Sequence, residues 1–206
     1  MDLEFAVWFG ASMCSFILGL KLRYIKKQRD ACMIFMYIFA ALAFLTKGLM
    51  GLVFPVLIIG LWVVLFKRWV LVKYMRIAPG ICIFSIIVIP WIIASQYTNS
   101  YFFTYFFYYQ QIGRFVGTHY NNPMPFWFYI PICIIGTLPW SLLSIFSWHK
   151  IYIIWNYINK CLDKKYVDEY ECFNQKGIIA FLVLWFIALL VFFSIPHSKI
   201  VGYILP

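Results

Sequence analysis

Long apolar runs alternate with short polar ones along the whole chain, and the runs are of membrane length. They cover Phe5–Leu20, Ala31–Leu45, Leu49–Phe66, Ile77–Ser95, Phe126–Trp148 and Gly177–Ser194, and another begins at Ile200 and is cut off at Pro206. A helix needs about 20 apolar residues to cross a bilayer, fewer where flanking side chains reach the interface. The pattern predicts an all-α polytopic membrane bundle of about six spans plus a truncated seventh. One stretch, Tyr97–Pro125, breaks the alternation differently. It is long and polar-tolerant, yet has no cluster of Lys or Arg. Between Tyr97 and Tyr120 it holds eleven Phe and Tyr residues and a single cation, Arg114. A solvated loop has no need of so much aromatic surface, and a spanning helix does not tolerate Gln110, Gln111 and Arg114 without partners. Two readings fit: an interfacial segment with its aromatics at headgroup depth, and a lipid-phosphate site at the membrane surface.

Composition agrees with the pattern. Apolar residues make up 65% of the chain and charged residues 12%, with a mean hydropathy of +0.86. A soluble domain is about 45–50% apolar and about 25% charged. The six cysteines show neither CxxC nor any other ligand spacing, so neither a disulfide framework nor zinc is indicated. The start, Met1-Asp2-Leu3-Glu4, is acidic where a cleavable signal would be basic. Residues 1–206 read as one membrane domain, with an outer loop at 97–125 and a cytoplasmic loop at 149–176.

The net charge of +10 would suggest nucleic acid in a soluble protein. Here topology accounts for it. Fourteen of the seventeen Lys and Arg residues follow the first span, follow the third, or lie between Trp148 and Gly177. With alternating spans these share one side, which the positive-inside rule makes cytoplasmic. Single-cysteine labelling checks this orientation in a Cys-free background, with an impermeant maleimide on intact cells. His119→Cys is expected to react and Lys164→Cys to stay protected; the reverse pattern would invert the topology.

Three cations, Lys47, Arg114 and Lys199, fall on the outer side. With them are Asp2, Glu4, His119 and His197. Ionisable groups at membrane depth are costly and are usually retained for function. Lys47 sits where two apolar helices meet at Thr46-Lys47-Gly48. There Gly48 can reverse the chain and Gly51 can allow close helix contact. It is either a snorkelling lysine or a compact cation for a phosphate. Arg114 offers a planar fork that grips two phosphate oxygens. His119 has no acidic partner nearby in sequence, which falls short of a metal ligand set. Lys199 follows Pro196, His197 and Ser198 in a short outer turn.

Three ordered segments carry a family resemblance. ALAFLTKGLMGLVFPVLI resembles the A-x-L-x-K-G-x-x-G-L-x-x-P element of bacterial polyprenyl-phosphate-sugar-dependent glycosyltransferases of the integral-membrane C type. These include the 4-amino-4-deoxy-L-arabinose lipid A transferases and the protein O-mannosyltransferases. FFYYQQIGRFVGTHYNNPMPFWFYIPI is similar to their aromatic outer loop, with its Arg-Phe and its P-x-x-F-Y-x-P. FFSIPHSKIVGYILP is similar to their F-F-S-x-x-x-S-K-x-x-x-Y-x-L-P. The resemblance implies a polyprenyl-phosphate-linked sugar as donor and a lipid A, glycan or protein acceptor; nucleic acid is not expected as a partner, because topology already explains the basic charge. It implies a multi-pass protein of the inner (cytoplasmic) membrane, with transfer on the outer face. By position, Lys47, Arg114 and Lys199 match cations associated with lipid phosphate. Met1-Asp2-Leu3-Glu4-Phe5 resembles the family's D-x-x-L-x-F, which makes Asp2 the candidate catalytic carboxylate.

Departures set limits on that expectation. Gln110-Gln111 stand where relatives often have Glu-His, so a metal held through that pair is not expected, and a divalent metal elsewhere stays open. The family's first outer loop, with its principal acidic residue, would precede this sequence, and its soluble C-terminal domain would follow it. The expectation is an internal piece of a longer enzyme, with low or no activity in isolation. The rival readings are a transporter or lipid-binding membrane subunit without chemistry, and an inactive remnant. Transporters place polar, discontinuous segments near the bilayer midplane, whereas here the polar groups gather at one surface.

Overall fold

A computed structural model describes residues 2–106, 124–138, 156 and 175–195. The described residues form a helical bundle: α1 (Asp2–Lys21), α2 (Lys26–Lys47), α3 (Met50–Leu65), a 3₁₀ segment (Trp69–Tyr74), α4 (Ile77–Thr98), a 3₁₀ turn (Phe126–Phe128), α5 (Tyr129–Gly136) and α6 (Gln175–Ser194). Among the described residues four helices, α1, α2, α4 and α6, are long and apolar enough to cross a membrane. The span expected at Leu49–Phe66 is the shorter helix α3, of 16 residues. The expected span Phe126–Trp148 is described only in its first part.

Burial follows the helical repeat. On α1 the residues Phe5, Phe9, Ser12, Met13, Phe16 and Leu20 form one buried stripe, the i, i+3/i+4 spacing of a single helix face. That stripe packs against α2, α3 and α6. Phe9 meets Trp185 at 5.3 Å, and Phe16 meets Phe181 at 5.6 Å and Trp62 at 6.1 Å, between ring centroids. Many of these contacts are edge-to-face, the arrangement that aromatic quadrupoles favour. The buried Ser12 hydroxyl donates to the carbonyl of Met36 at 2.9 Å and so ties α1 to α2. In lipid there is no hydrophobic drive between helices, so such packing and interhelical hydrogen bonds hold the bundle together.

Helix α4 packs on α2 through Gly80, Phe84, Val88 and Trp91. Gly80 lies against the ring of Tyr37, and Phe84 meets Phe44 at 5.7 Å. Its other face, with Ile81, Ile86, Ile89 and Ile93, is exposed. Beyond Thr98 the aromatic segment turns back at once. Gln96 Nε2 donates to the Ser100 carbonyl at 2.6 Å, and Phe102 and Phe106 pack on Trp91 at 5.5 and 5.7 Å. Within residues 97–106 the segment is therefore a short helical return laid on α4 and α2.

The basic end of the bundle has its own lock. Arg76 begins α4 in the left-handed region, with φ 50°, which is uncommon for a residue with a side chain. It donates to Asp30 at the start of α2 through Nη2 at 2.5 Å and Nε at 3.2 Å. Asp30 also accepts from Arg29 at 2.7 Å. A bidentate arginine–carboxylate pair is geometrically specific, and this one joins the starts of α2 and α4.

Candidate lipid-phosphate site

The opposite end gathers the start of α1, the end of α2 and the start of α3. Helix α2 stops because Gly48 takes φ 72° and ψ −140° while its N–H caps the Phe44 carbonyl at 2.7 Å. That conformation is glycine's own. The next turn brings α3 so close that a Cβ on Gly51 would fall within the backbone of Ala43 and Phe44. The hairpin is thereby pinned backbone to backbone, and Lys47 stands at its tip. Thr46 supports the same turn through its hydroxyl, which donates to the Ala43 carbonyl at 2.8 Å.

Lys47 is the best-defined functional candidate. Its Nζ lies 3.1 Å from Asp2 Oδ1 and 5.2 Å from the centroid of the Phe5 ring. The Lys47 side chain is 15% exposed and that of Asp2 57%. An ion pair with one well-exposed partner contributes about 0–1 kcal/mol. The cation–π contact adds about 0.5–2 kcal/mol, depending on desolvation. The contribution to stability is small; the main consequence is placement. A flexible lysine is held in one position, with a carboxylate on one side and a ring on another.

Of the sequence-derived candidates, the structure brings Asp2 and Lys47 together. Arg114, Lys199, His119 and His197 lie outside the described residues. Among the described residues, no group of three or more His, Cys, Asp or Glu comes together. Sequence reasoning did not identify Phe5 as a partner of Lys47, although it stands one helical turn beyond Asp2. Nor did it single out Tyr129, the largest fully buried side chain among the described residues. Tyr129 belongs to the matched P-x-x-F-Y-x-P element, and its ring packs on Phe193 of α6 at 6.5 Å. Phe193 and Phe192 in turn abut Phe54 of α3, at 5.4 and 4.8 Å.

No protein-family model matches the chain. Individual relatives do. The undecaprenyl phosphate-α-4-amino-4-deoxy-L-arabinose arabinosyl transferase of Enterobacter sp. strain 638 is 31% identical, over 100% of this chain and 34% of its own length. Arabinosyl transferase 2 of Pseudomonas fluorescens Pf0-1 is 29% identical, with the same coverage. Among solved structures, ArnT from Cupriavidus metallidurans bound to undecaprenyl phosphate superposes with a TM-score of 0.79 at 24% identity, covering 98% of this chain and 33% of that one. The apo form of that protein gives 0.76. The chain is similar to part of a polyprenyl-phosphate-sugar-dependent C-type glycosyltransferase. It has the ArnT membrane fold, and it spans about a third of the length of the curated relatives it matches.

Proposed function

We propose that the chain is a membrane segment of a glycosyltransferase. That enzyme moves a sugar from a polyprenyl-phosphate donor to lipid A at the outer face of the inner (cytoplasmic) membrane. The observation that carries this reading is the similarity, along the whole of this chain, to about a third of an arabinosyl transferase, read together with Lys47 held at the tip of the α2–α3 hairpin. The segment's task is to hold the donor phosphate. When an acceptor oxygen attacks the anomeric carbon, the bond to the phosphate oxygen breaks and negative charge grows on the departing polyprenyl phosphate. Fixed cations aimed at that charge stabilise the transition state without reorganising. Lys47 supplies one such cation, and Arg114 and Lys199 are proposed as the others. Asp2 keeps Lys47 in place with one oxygen, while its exposed side is open to orient an acceptor or take its proton.

A chimera tests the assignment. This chain replaces the matching third of the Enterobacter arabinosyl transferase, and lipid A is analysed by mass spectrometry. Lipid A carrying the added sugar is the expected result. Sugar found on protein or on another glycan would reassign the acceptor. An inserted, folded chimera that binds undecaprenyl phosphate but transfers nothing would leave a lipid-binding subunit in place of an enzyme.

A further inference from the structure

Among the described residues, Lys47 meets two groups of different kinds on α1. Asp2 and Phe5 stand three residues apart, on one face of the helix. Both reach the lysine: Asp2 Oδ1 lies 3.1 Å and the Phe5 ring centroid 5.2 Å from Nζ. Nζ itself is sealed from solvent, so a phosphate reaches it only where a neighbour gives way. The two groups are not equally able to move. The Asp2 side chain is 57% exposed and stands at the first residue of α1. Phe5 is 0% exposed, stacked on Phe9 at 5.7 Å and edge-on to Phe54 at 6.2 Å. Phe54 is in turn wedged against Phe192 and Phe193 of α6. Of the two, Asp2 can be exchanged and Phe5 stays.

The chemistry of the two contacts differs in the same sense. A carboxylate neutralises an ammonium, and a phosphate gains little from a cation already neutralised. An aromatic face attracts the ammonium through its quadrupole and leaves the full charge in place, most strongly where water is excluded. Packing alone asks only for an apolar side chain of about the right volume at position 5; the charge distribution of the ring matters to Lys47. We propose, on the reading that Lys47 binds the donor phosphate, that Phe5 is a positioning residue of the donor site. Its ring holds the Lys47 ammonium while the donor phosphate takes the place of Asp2. The exchange releases the Asp2 carboxylate toward the acceptor only once the donor is seated, so donor binding comes before acceptor activation.

The test uses the full chain in lipid nanodiscs, with undecaprenyl phosphate as the probe. Binding is read by native mass spectrometry, and the unfolding midpoint is measured in parallel. Phe5 is replaced by monofluoro- and then trifluorophenylalanine, which keep the shape of the ring and drain its face of negative charge. Affinity is expected to fall stepwise, by about two- to thirtyfold at trifluorophenylalanine, the weight of a cation–π contact, with little change in the unfolding midpoint. In a Lys47→Ala background the same series is expected to be flat, because the ring has no cation left to hold. Asp2→Asn removes the group that yields and should bind the probe at least as well as wild type. If Lys47→Ala weakens binding but the fluorinated series is flat, the role of Phe5 is overturned. An equal fall with and without Lys47 overturns it as well, since Phe5 would then act through packing alone. So does a loss in Asp2→Asn as large as that in Lys47→Ala, which would make Asp2 the holder. Wild-type binding by Lys47→Ala would instead remove Lys47 from the donor site, whatever the series shows.

Discussion

Gly51→Leu is expected to prevent the α2–α3 hairpin from forming, and Gly51→Ala to destabilise the bundle by about 1–3 kcal/mol, the usual range for overpacking. The reason is what the new atom would meet. At Gly51 a Cβ runs into the backbone of Ala43 and Phe44, which cannot rotate aside; at Gly60, on the same helix, nothing lies within 4 Å. Gly60→Ala should therefore be neutral or gain up to about 1 kcal/mol from helix propensity. Thermal unfolding of the two alanine variants in one detergent gives the comparison. Similar midpoints for both would mean that the hairpin does not close backbone to backbone, and the placement of Lys47 would lose its foundation.

Arg114→Lys, in a full-length enzyme containing this segment, is expected to lower donor use about ten- to a hundredfold. It keeps the charge but loses the bidentate grip, and charge-assisted hydrogen bonds to phosphate are worth about 1.5–3 kcal/mol. Lys47→Ala should impair the same step, while Lys165→Ala should be nearly silent. The Asp2–Lys47 pair adds a sharper expectation. If Asp2 acts partly by holding Lys47, then Asp2→Ala and Lys47→Ala combine less than additively, as residues in one ion pair do. The assay is consumption of polyprenyl-phosphate sugar by correctly inserted variants. Lysine can replace arginine as an interfacial anchor with little loss. Wild-type turnover in Arg114→Lys would therefore remove Arg114 from the phosphate site.

Hydropathy made the helices readable because a membrane span is a one-dimensional property. The runs at Phe5–Leu20 and Ile77–Ser95 lie within α1 and α4, which extend only a few residues further. The turn at Gly48 was legible for a similar reason, since a glycine between two apolar runs is local evidence. The ion pair was not. Asp2 and Lys47 were placed at one membrane surface by counting spans, but their 3.1 Å contact depends on how α1 crosses α2. That crossing is set by the stripe from Phe5 to Leu20. Arg23 and Arg68 show the same limit from the other side. Counting cations per loop assigns them a side of the membrane, yet says nothing of the 3₁₀ segment after Arg68, whose buried Leu71 joins the main apolar core.

The uneven burial of α4 has a mechanical consequence. One face grips α2 through Gly80, Phe84, Val88 and Trp91, while the isoleucines opposite have no packing partner among the described residues. Hydrocarbon tails and apolar side chains are nearly equivalent solvents for such a face, so separating α4 costs less than parting α1 from α2. Bilayer thickness therefore acts first on α4, because mismatch is relieved by tilting and α4 is the least buried of the described spans. Amide exchange should grade accordingly, faster along α4 than in the α1–α2 pair. A change in tilt would reach the chain that leaves α4 at Thr98, while Lys47, pinned by Gly51 and held by Asp2, would stay where it is.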